Sequence, residues 1–412
     1  MELPTLLAQV WEFIRQYYEY LLIPFISSGV GYLTNWLAIK MTFYPIEYRG
    51  LRPFGWQGII PSKARKMAEK SVDLLTIKLV RIDEQFQRLD PEAVAREMEP
   101  ALTRLSRQLL NEVMEARAPR LWANTPDVLK ERLYKRTQDE LPEVVIAMMQ
   151  DMSEQIDDLL DLKSMSVKEL MKDKTLVNQI FQRCGYKEFI FIERSGFYLG
   201  FPFGLVQMVV TYLYFDYSWF LLPFFGLLVG WATNSLALKI IFRPRRPIRF
   251  WGLHIQGLFL KRQSEVAVEY SRMITERILT TENIFEFIVR GPGAERLNQI
   301  VEKHVHKVVE TTVGLSGNIL RTNLVSEQMD IVKNIVTYRF EQELPVAIVE
   351  VYKYAERALK MQETLESKMS ELPSDEFEAF LRPAFQEDEW ILITVGAVLG
   401  FLAGVIQYFL FF

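Results

Sequence analysis

The chain has 412 residues, 24% of them charged and 50% apolar, with a formal net charge of −4. That length holds two or more domains, and so small a charge supplies no basic field of the kind that draws a protein onto nucleic acid, which is excluded as a partner. The single cysteine, Cys184, rules out an intrachain disulfide and speaks against a cysteine-based metal site.

The averages conceal a segregated chain. The first twenty residues carry no basic leader region and no A-x-A-like cleavage site, and read as an amphipathic lead-in to a retained membrane helix rather than as a signal peptide. A spanning helix needs about 20 predominantly apolar residues. Tyr20–Phe43 supplies the first, with Asn35 and Lys40 near one end. A charged block follows, roughly 46–195, and then an apolar run about twice the length of a span, interrupted at Asp216-Tyr217-Ser218. It reads as a helical hairpin of Gly196–Phe215 and Trp219–Phe242. A second charged block, 243–389, leads to the fourth span, Trp390–Phe412. Arg49, Arg52, Lys63, Arg65, Lys66 and Lys70 follow the first span, and Arg243, Arg245, Arg246 and Arg249 follow the third. Basic residues gather on the cytoplasmic side of bacterial membrane proteins. Both termini are therefore expected outside and both charged blocks in the cytoplasm.

The chain also repeats itself. Pro24, Phe25, Gly31, Thr34, Asn35, Leu37, Ala38, Lys40, Phe43 and Pro45 each meet an identical residue at a constant offset of 199, and the match extends to Gln57-Gly58 and Gln256-Gly257. Gly196, Gly200, Phe201, Gly204 and Gln207 recur 200 residues on as Gly396, Gly400, Phe401, Gly404 and Gln407. Arg136 with Glu140-Leu141-Pro142 recurs as Arg339 with Glu343-Leu344-Pro345. This predicts two units in tandem. Unit 1–215 has spans near 20–43 and 196–215 around cytoplasmic helices 62–190; unit 216–412 has spans near 219–242 and 390–412 around helices 261–388. Each unit crosses twice, so the copies share one orientation about a pseudo-two-fold along the membrane normal.

Helix signals fill the charged blocks. Asp90-Pro91-Glu92 and Thr125-Pro126-Asp127 each place a capping residue before a proline at the first helical position. Val94, Met98, Leu102, Leu105, Leu109 and Val113, and later Leu297, Val301, Val305, Val308 and Thr312, recur at helical spacing. The fold class expected is all-α: an integral membrane protein with four transmembrane helices and two long cytoplasmic helical-bundle or coiled-coil segments in tandem parallel duplication.

Candidate site residues lie mainly in the spans. Thr34, Asn35 and Lys40 in the first, with Thr233, Asn234 and Lys239 in the third, are read as polar glue between closely packed helices or as a polar site between the copies that contacts an anionic headgroup. Ser27, Gly31, Thr34 and Ala38 share one helical stripe, as do Gly226, Gly230, Thr233 and Ala237. Gly31, Gly230 and the ladders Gly196, Gly200, Gly204 and Gly396, Gly400, Gly404 are packing positions. Gln207 and Gln407 each need partners in hydrocarbon, and Asn or Thr of a neighbouring span could serve. Gln57 and Gln256 sit in apolar loops, with Phe54, Trp56, Ile59 and Ile60 in one and Phe250, Trp251, Leu253, Ile255 and Leu258 in the other, suited to the inner lipid interface. His304 and His306 point about 200° apart on a helix and cannot share an ion; His254 has no cluster around it. No P-loop, dinucleotide fingerprint, zinc-protease motif or nucleophile elbow is present. Neither cofactor nor enzyme activity is expected.

The paired TNxxAxK-x2-F-x-P segments, the Gln-Gly loops, Gly185 with Glu188, the G-F-x2-G-x2-Q helices and the stretch from Leu381 through Gln407 resemble the bacterial membrane-protein family called "domain of unknown function 445". The resemblance implies a multi-helix protein of a bacterial cytoplasmic (inner) membrane with large cytoplasmic portions, and supplies no substrate and no catalytic residue. Pro61 and Ser62-Lys63 differ from Leu260 and Lys261-Arg262 at the corresponding places, so the two loops need not act alike. Two functions remain open: a non-enzymatic membrane-anchored scaffold or assembly protein, forming homo-oligomers or recruiting protein partners through its cytoplasmic helices, or lipid or small-molecule transport through the duplicated polar spans. Membrane lipids are expected partners of either.

Overall fold

The computed structural model of the chain describes residues 3–51, 55–250, 253–315, 326–381 and 389–411. Arg52, Phe54, Trp251 and Phe412 therefore lie outside the described residues, as do the side chains of Arg249, Phe250, Leu253, His254, Ile255, Val308 and Thr312. The fold is all-α, with four helices long and apolar enough to cross a membrane. The chain divides into two compact units, one of Met1–Leu74, Leu170–Tyr270 and Glu366–Phe412, the other of Leu75–Glu169 and Ser271–Leu365. Each unit draws on both halves of the sequence.

The first unit contains the spans. A single helix, Leu3–Phe43, breaks its dihedrals at Tyr17 (φ −120°, ψ 16°), and the portion suited to a membrane runs Tyr17–Phe43. The helix that contains the second apolar run begins before it. Its helix is Tyr186–Leu213 and starts ten residues before Gly196, because nothing in Tyr186–Ser195 interrupts a helix even though Lys187, Glu188, Glu193 and Arg194 are charged. At 1.5 Å per residue it reaches about 42 Å, more than a hydrocarbon core of about 30 Å. Ser218–Phe242 forms the third span after a 3₁₀ turn at Phe215–Tyr217, and Glu389–Phe411 the fourth. The first span packs along the second and the third along the fourth; the two pairs meet where the second touches the third and the first touches both the third and the fourth.

Each of the first and third spans ends in the same kind of loop. A cis peptide precedes Pro45 and Pro244. Arg49 and Trp56 then exchange backbone hydrogen bonds of 2.9 and 2.8 Å, and the corresponding residues Ile248 and Ile255 pair within two short antiparallel strands, Ile248–Phe250 and Leu253–Ile255. Gly58 and Gly257 close the loops by donating to the Pro45 and Pro244 carbonyls at 2.9 and 3.0 Å. A Cβ on either would come within 2.8 Å of backbone, which is why glycine stands there.

The second unit is a body of helices. Asp90 caps Pro91–Glu97, accepting from the Glu92 N–H at 3.1 Å, and the helix resumes as Glu99–Arg117 beyond a joint at Met98. Val94, Met98, Leu102, Leu105 and Leu109 all face the core; Val113 is only partly covered. The expected cap at Thr125 is not formed. Its hydroxyl donates to the Leu121 carbonyl at 2.7 Å, and the next helix, Asp127–Glu154, starts after Pro126. A helix Ala294–Leu315 lies against it and buries Leu297, Val301 and Val305. These two helices are linked by Asp151, which takes hydrogen bonds from Lys303 at 2.5 Å and His304 at 2.9 Å. The Lys303 bond, with help from His304, holds the Asp151 carboxyl below the usual carboxylate range. His306 instead approaches Glu302 at 3.7 Å.

An apolar cavity of about 40 Å³ remains in this core, lined mainly by Val94, Met98, Val145, Met148, Met152 and Phe285. Methionines adapt to irregular gaps without filling them fully. Val145→Ile should therefore raise the thermal unfolding midpoint, by the equivalent of roughly 0.5–1 kcal/mol, while Met148→Ala lowers it by roughly 2–4 kcal/mol. Both are read by unfolding the full chain in nanodiscs.

Candidate functional site in the paired spans

Little hydrophobic force draws helices together in lipid, so close packing and hydrogen bonds must do so. Glycine permits that approach. A Cβ built on Gly196 would lie 2.1 Å from the Gly31 carbonyl oxygen, and one on Gly396 2.9 Å from that of Gly230. Gly200 rests on the backbone of Ser27 and Ser28, Gly204 on Pro24, Gly400 on Gly226, and Gly404 on Leu222 and Pro223. The small-residue stripes of the first and third spans thus face the glycine ladders of the second and fourth. They make the contact inside each pair of spans, a partner that helical spacing alone does not name.

The polar residues follow the same pairing. Asn35 is fully buried and donates to the Ile192 carbonyl at 2.7 Å; Asn234 donates to the Leu392 carbonyl at 2.9 Å. Each asparagine thereby ties its span to the first turns of the neighbouring one. The link between the two pairs is longer: the Thr233 hydroxyl lies 3.5 Å from Asn35 Oδ1. Thr34 turns back to the Gly31 carbonyl at 3.1 Å.

The glutamines differ. Gln207 accepts from the Ser27 hydroxyl at 2.8 Å, a partner the sequence reading had not named. Position 27 corresponds to Gly226, so Gln407 has no such hydroxyl opposite it. The Nε2 atoms of both glutamines and the hydroxyl of Thr211, one turn beyond Gln207, are buried without hydrogen-bond partners.

Lys40 and Lys239 are exposed in the last turns of their spans, where a cation favours the helix dipole. Lys40 lies over the Tyr44 ring at 5.7 Å. Gln57 and Gln256 turn inward to staple their loops, donating to the carbonyls of Ile46 at 2.8 Å and Arg245 at 3.5 Å.

Sequence reasoning gave no partner for three buried groups near the loop ends. Glu188, 4% exposed, is held by Arg262 Nη1 at 2.7 and 2.8 Å, and Arg262 also reaches Glu265 at 3.0 Å. Burial opposes the Arg262 cation, but its bonds to Glu188 and Glu265 outweigh that and raise its pKa. Glu378, 1% exposed, pairs with Arg245. Asn178, at the place in the first half corresponding to Glu378, donates to the Phe43 carbonyl at 3.0 Å. An ionisable residue within an otherwise apolar helical face was the available signal. Burial pushes the Cys184 thiol up to about 12, so it stays protonated. Among the described residues no three of His, Cys, Asp and Glu come together to hold a metal.

Four apolar helices joined by buried amides and backbone contacts define a multi-pass membrane protein. Sequence comparison agrees. The chain is 30% identical over 138 residues to a UPF0754 membrane protein of Bacillus cereus strain G9842, covering 32% of this chain and 36% of that one. A UPF0754 membrane protein of B. cereus strain ATCC 10987 is 28% identical over 143 residues, 30% of this chain and 38% of the relative. One from Anoxybacillus flavithermus is 34% identical over 89 residues, 21% and 24% of the respective chains. The chain thus matches between about a quarter and little more than a third of these relatives' own length. Their names describe membrane proteins of an uncharacterised bacterial family and do not carry the designation 445. No family model matches the chain, and no solved structure matches it.

Gly196→Ala should disrupt the first pair of spans, costing roughly 1–3 kcal/mol, whereas Gly29→Ala, with nothing within 4 Å of the added carbon, should leave the unfolding midpoint unchanged. Arg262→Ala should cost roughly 3–5 kcal/mol, because Glu188 is left charged and buried. The double variant Glu188→Leu/Arg262→Met should restore most of that loss in the same thermal assay.

Proposed function

We propose that the chain is a non-enzymatic membrane-anchored scaffold whose helices outside the spans assemble with protein partners or further copies of the chain. The observation that carries this reading is the second unit: a helical body with its own apolar core that leaves Leu121, Val128, Leu129, Leu133, Ile331 and Tyr338 in solvent. Exposed apolar side chains in such number mark a surface for association. The equivalent bonds of Asn35 and Asn234, and the equivalent loops after Phe43 and Phe242, support a tandem duplication as the origin of the chain. The basic residues after the first and third spans support a cytoplasmic placement of the helical body, both termini outside, in a bacterial inner membrane.

Translocation of a lipid or small molecule is the second reading, favoured by the unpartnered amides of Gln207 and Gln407 and the hydroxyl of Thr211. Against it, Asn35 and Asn234 are buried with their amide groups already donating to helix carbonyls.

A photo-crosslinking residue placed at Leu129 or Leu133 in native membranes should yield discrete protein adducts that vanish with a neighbouring Val128→Glu, while one at Phe401 or Leu402 yields lipid adducts alone. Lipid adducts or none at the first two positions would sink the scaffold. Solute or lipid flux in proteoliposomes that falls on Gln207→Leu/Gln407→Leu would establish the second reading instead.

A further inference from the structure

The two loops that follow the first and third spans share a backbone and differ in charge. In the first half, Lys40 stands in the last turn of its helix with its ammonium over the Tyr44 ring at 5.7 Å, and Ile46 and Glu47 follow. In the second half the corresponding residues are Lys239, Arg243, Arg245 and Arg246. Arginine thus replaces the tyrosine, the isoleucine and the glutamate.

Arg245 is accounted for, because buried Glu378 neutralises it. The other three cations are not. Lys239, Arg243 and Arg246 are all exposed and none has an acidic partner among the described residues. The Arg243 N–H closes the final helical turn on the Lys239 carbonyl at 2.8 Å, so these two residues sit one turn apart, and like charges at that spacing repel. The repulsion is offset by no contact among the described residues. An anion bound between them would relieve it.

Position identifies the anion. Ser218–Phe242 is a helix of 25 residues, about 37 Å long, so its last turn stands at headgroup level when its apolar length crosses the bilayer. Backbone folding holds the loop there: Gly257 donates to the Pro244 carbonyl at 3.0 Å, which keeps Arg246 beside the end of the span. Ile248, 53% exposed, adds an apolar side chain next to these charges.

We propose that Lys239, Arg243 and Arg246 form a binding site for the phosphate headgroup of an anionic phospholipid, and that the corresponding loop of the first half does not. Lys239 and Arg243 take the phosphate from the helix end, with Arg243 able to offer a two-pronged contact, and Arg246 adds charge from the loop. In the first half Lys40 is engaged by an aromatic ring and Glu47 repels an anion. The site rests on the third span crossing the bilayer and is independent of whether the chain scaffolds or transports.

The full chain in nanodiscs of phosphatidylcholine, with or without phosphatidylglycerol, tests this. Incorporation itself reports the membrane embedding, and all variants must pass it. Native mass spectrometry should then show wild type retaining phosphatidylglycerol in preference to phosphatidylcholine. Arg243→Gln/Arg246→Gln should cut that preference roughly thirtyfold, while Arg49→Gln in the other loop leaves it within about twofold of wild type. Charge retention in Arg243→Lys/Arg246→Lys should recover most of the effect. Inorganic phosphate added to phosphatidylcholine discs should not reproduce the thermal stabilisation given by phosphatidylglycerol. The proposal fails if wild type shows no preference, if the double glutamine variant keeps it, if Arg49→Gln loses as much, or if free phosphate substitutes for the lipid.

Discussion

Backbone laid directly on backbone governs the first unit. Where Gly31 meets Gly196 and Gly230 meets Gly396, the helix axes come so near that even a methyl group would overlap a carbonyl. Dispersion and weak Cα–H···O contacts are strongest at that separation and are what lipid leaves available. The rest follows from it. Only helices this close let the short side chain of Asn35 reach the Ile192 carbonyl, and only then does Ser27 meet Gln207. The span ends are fixed in turn, which places the loops beginning at Pro45 and Pro244.

The same closeness explains how much could be read from sequence. Membrane segments and glycine ladders carry strong local signatures, and Thr34-Asn35 recurs as Thr233-Asn234. Spacing assigns a residue to a face and does not say which helix covers that face. The stripe through Gly31 and Thr34 was therefore legible while its partner was not. The start of the helix holding the second span was not legible for another reason: hydropathy marks where a helix becomes apolar, and the helical backbone runs on through charged residues that no glycine or proline interrupts. Arg262 and Glu188 are far apart in sequence, and no local rule pairs them.

Likeness between the halves is concentrated in backbone-dependent features, and divergence in side chains. Asparagine-to-carbonyl bonds and loop-closing glycines recur. Ser27 against Gly226, Tyr44 against Arg243 and Asn178 against Glu378 do not. The last change is coupled to another, because Glu378 is tolerable only with Arg245, and the corresponding pair Asn178 and Ile46 carries no charge.

Neither compact unit is contiguous: one needs Met1–Leu74 together with Glu366–Phe412, the other needs Leu75–Glu169 together with Ser271–Leu365. During synthesis the ribosome delivers the earlier pieces well before the later ones exist. The faces of the first and third spans that will receive the fourth, and the apolar faces of Pro91–Glu97 and Asp127–Glu154, must wait for partners still untranslated. Biogenesis of this chain is therefore a problem of timing, in which half-built surfaces stand open until the segments that cover them have been translated.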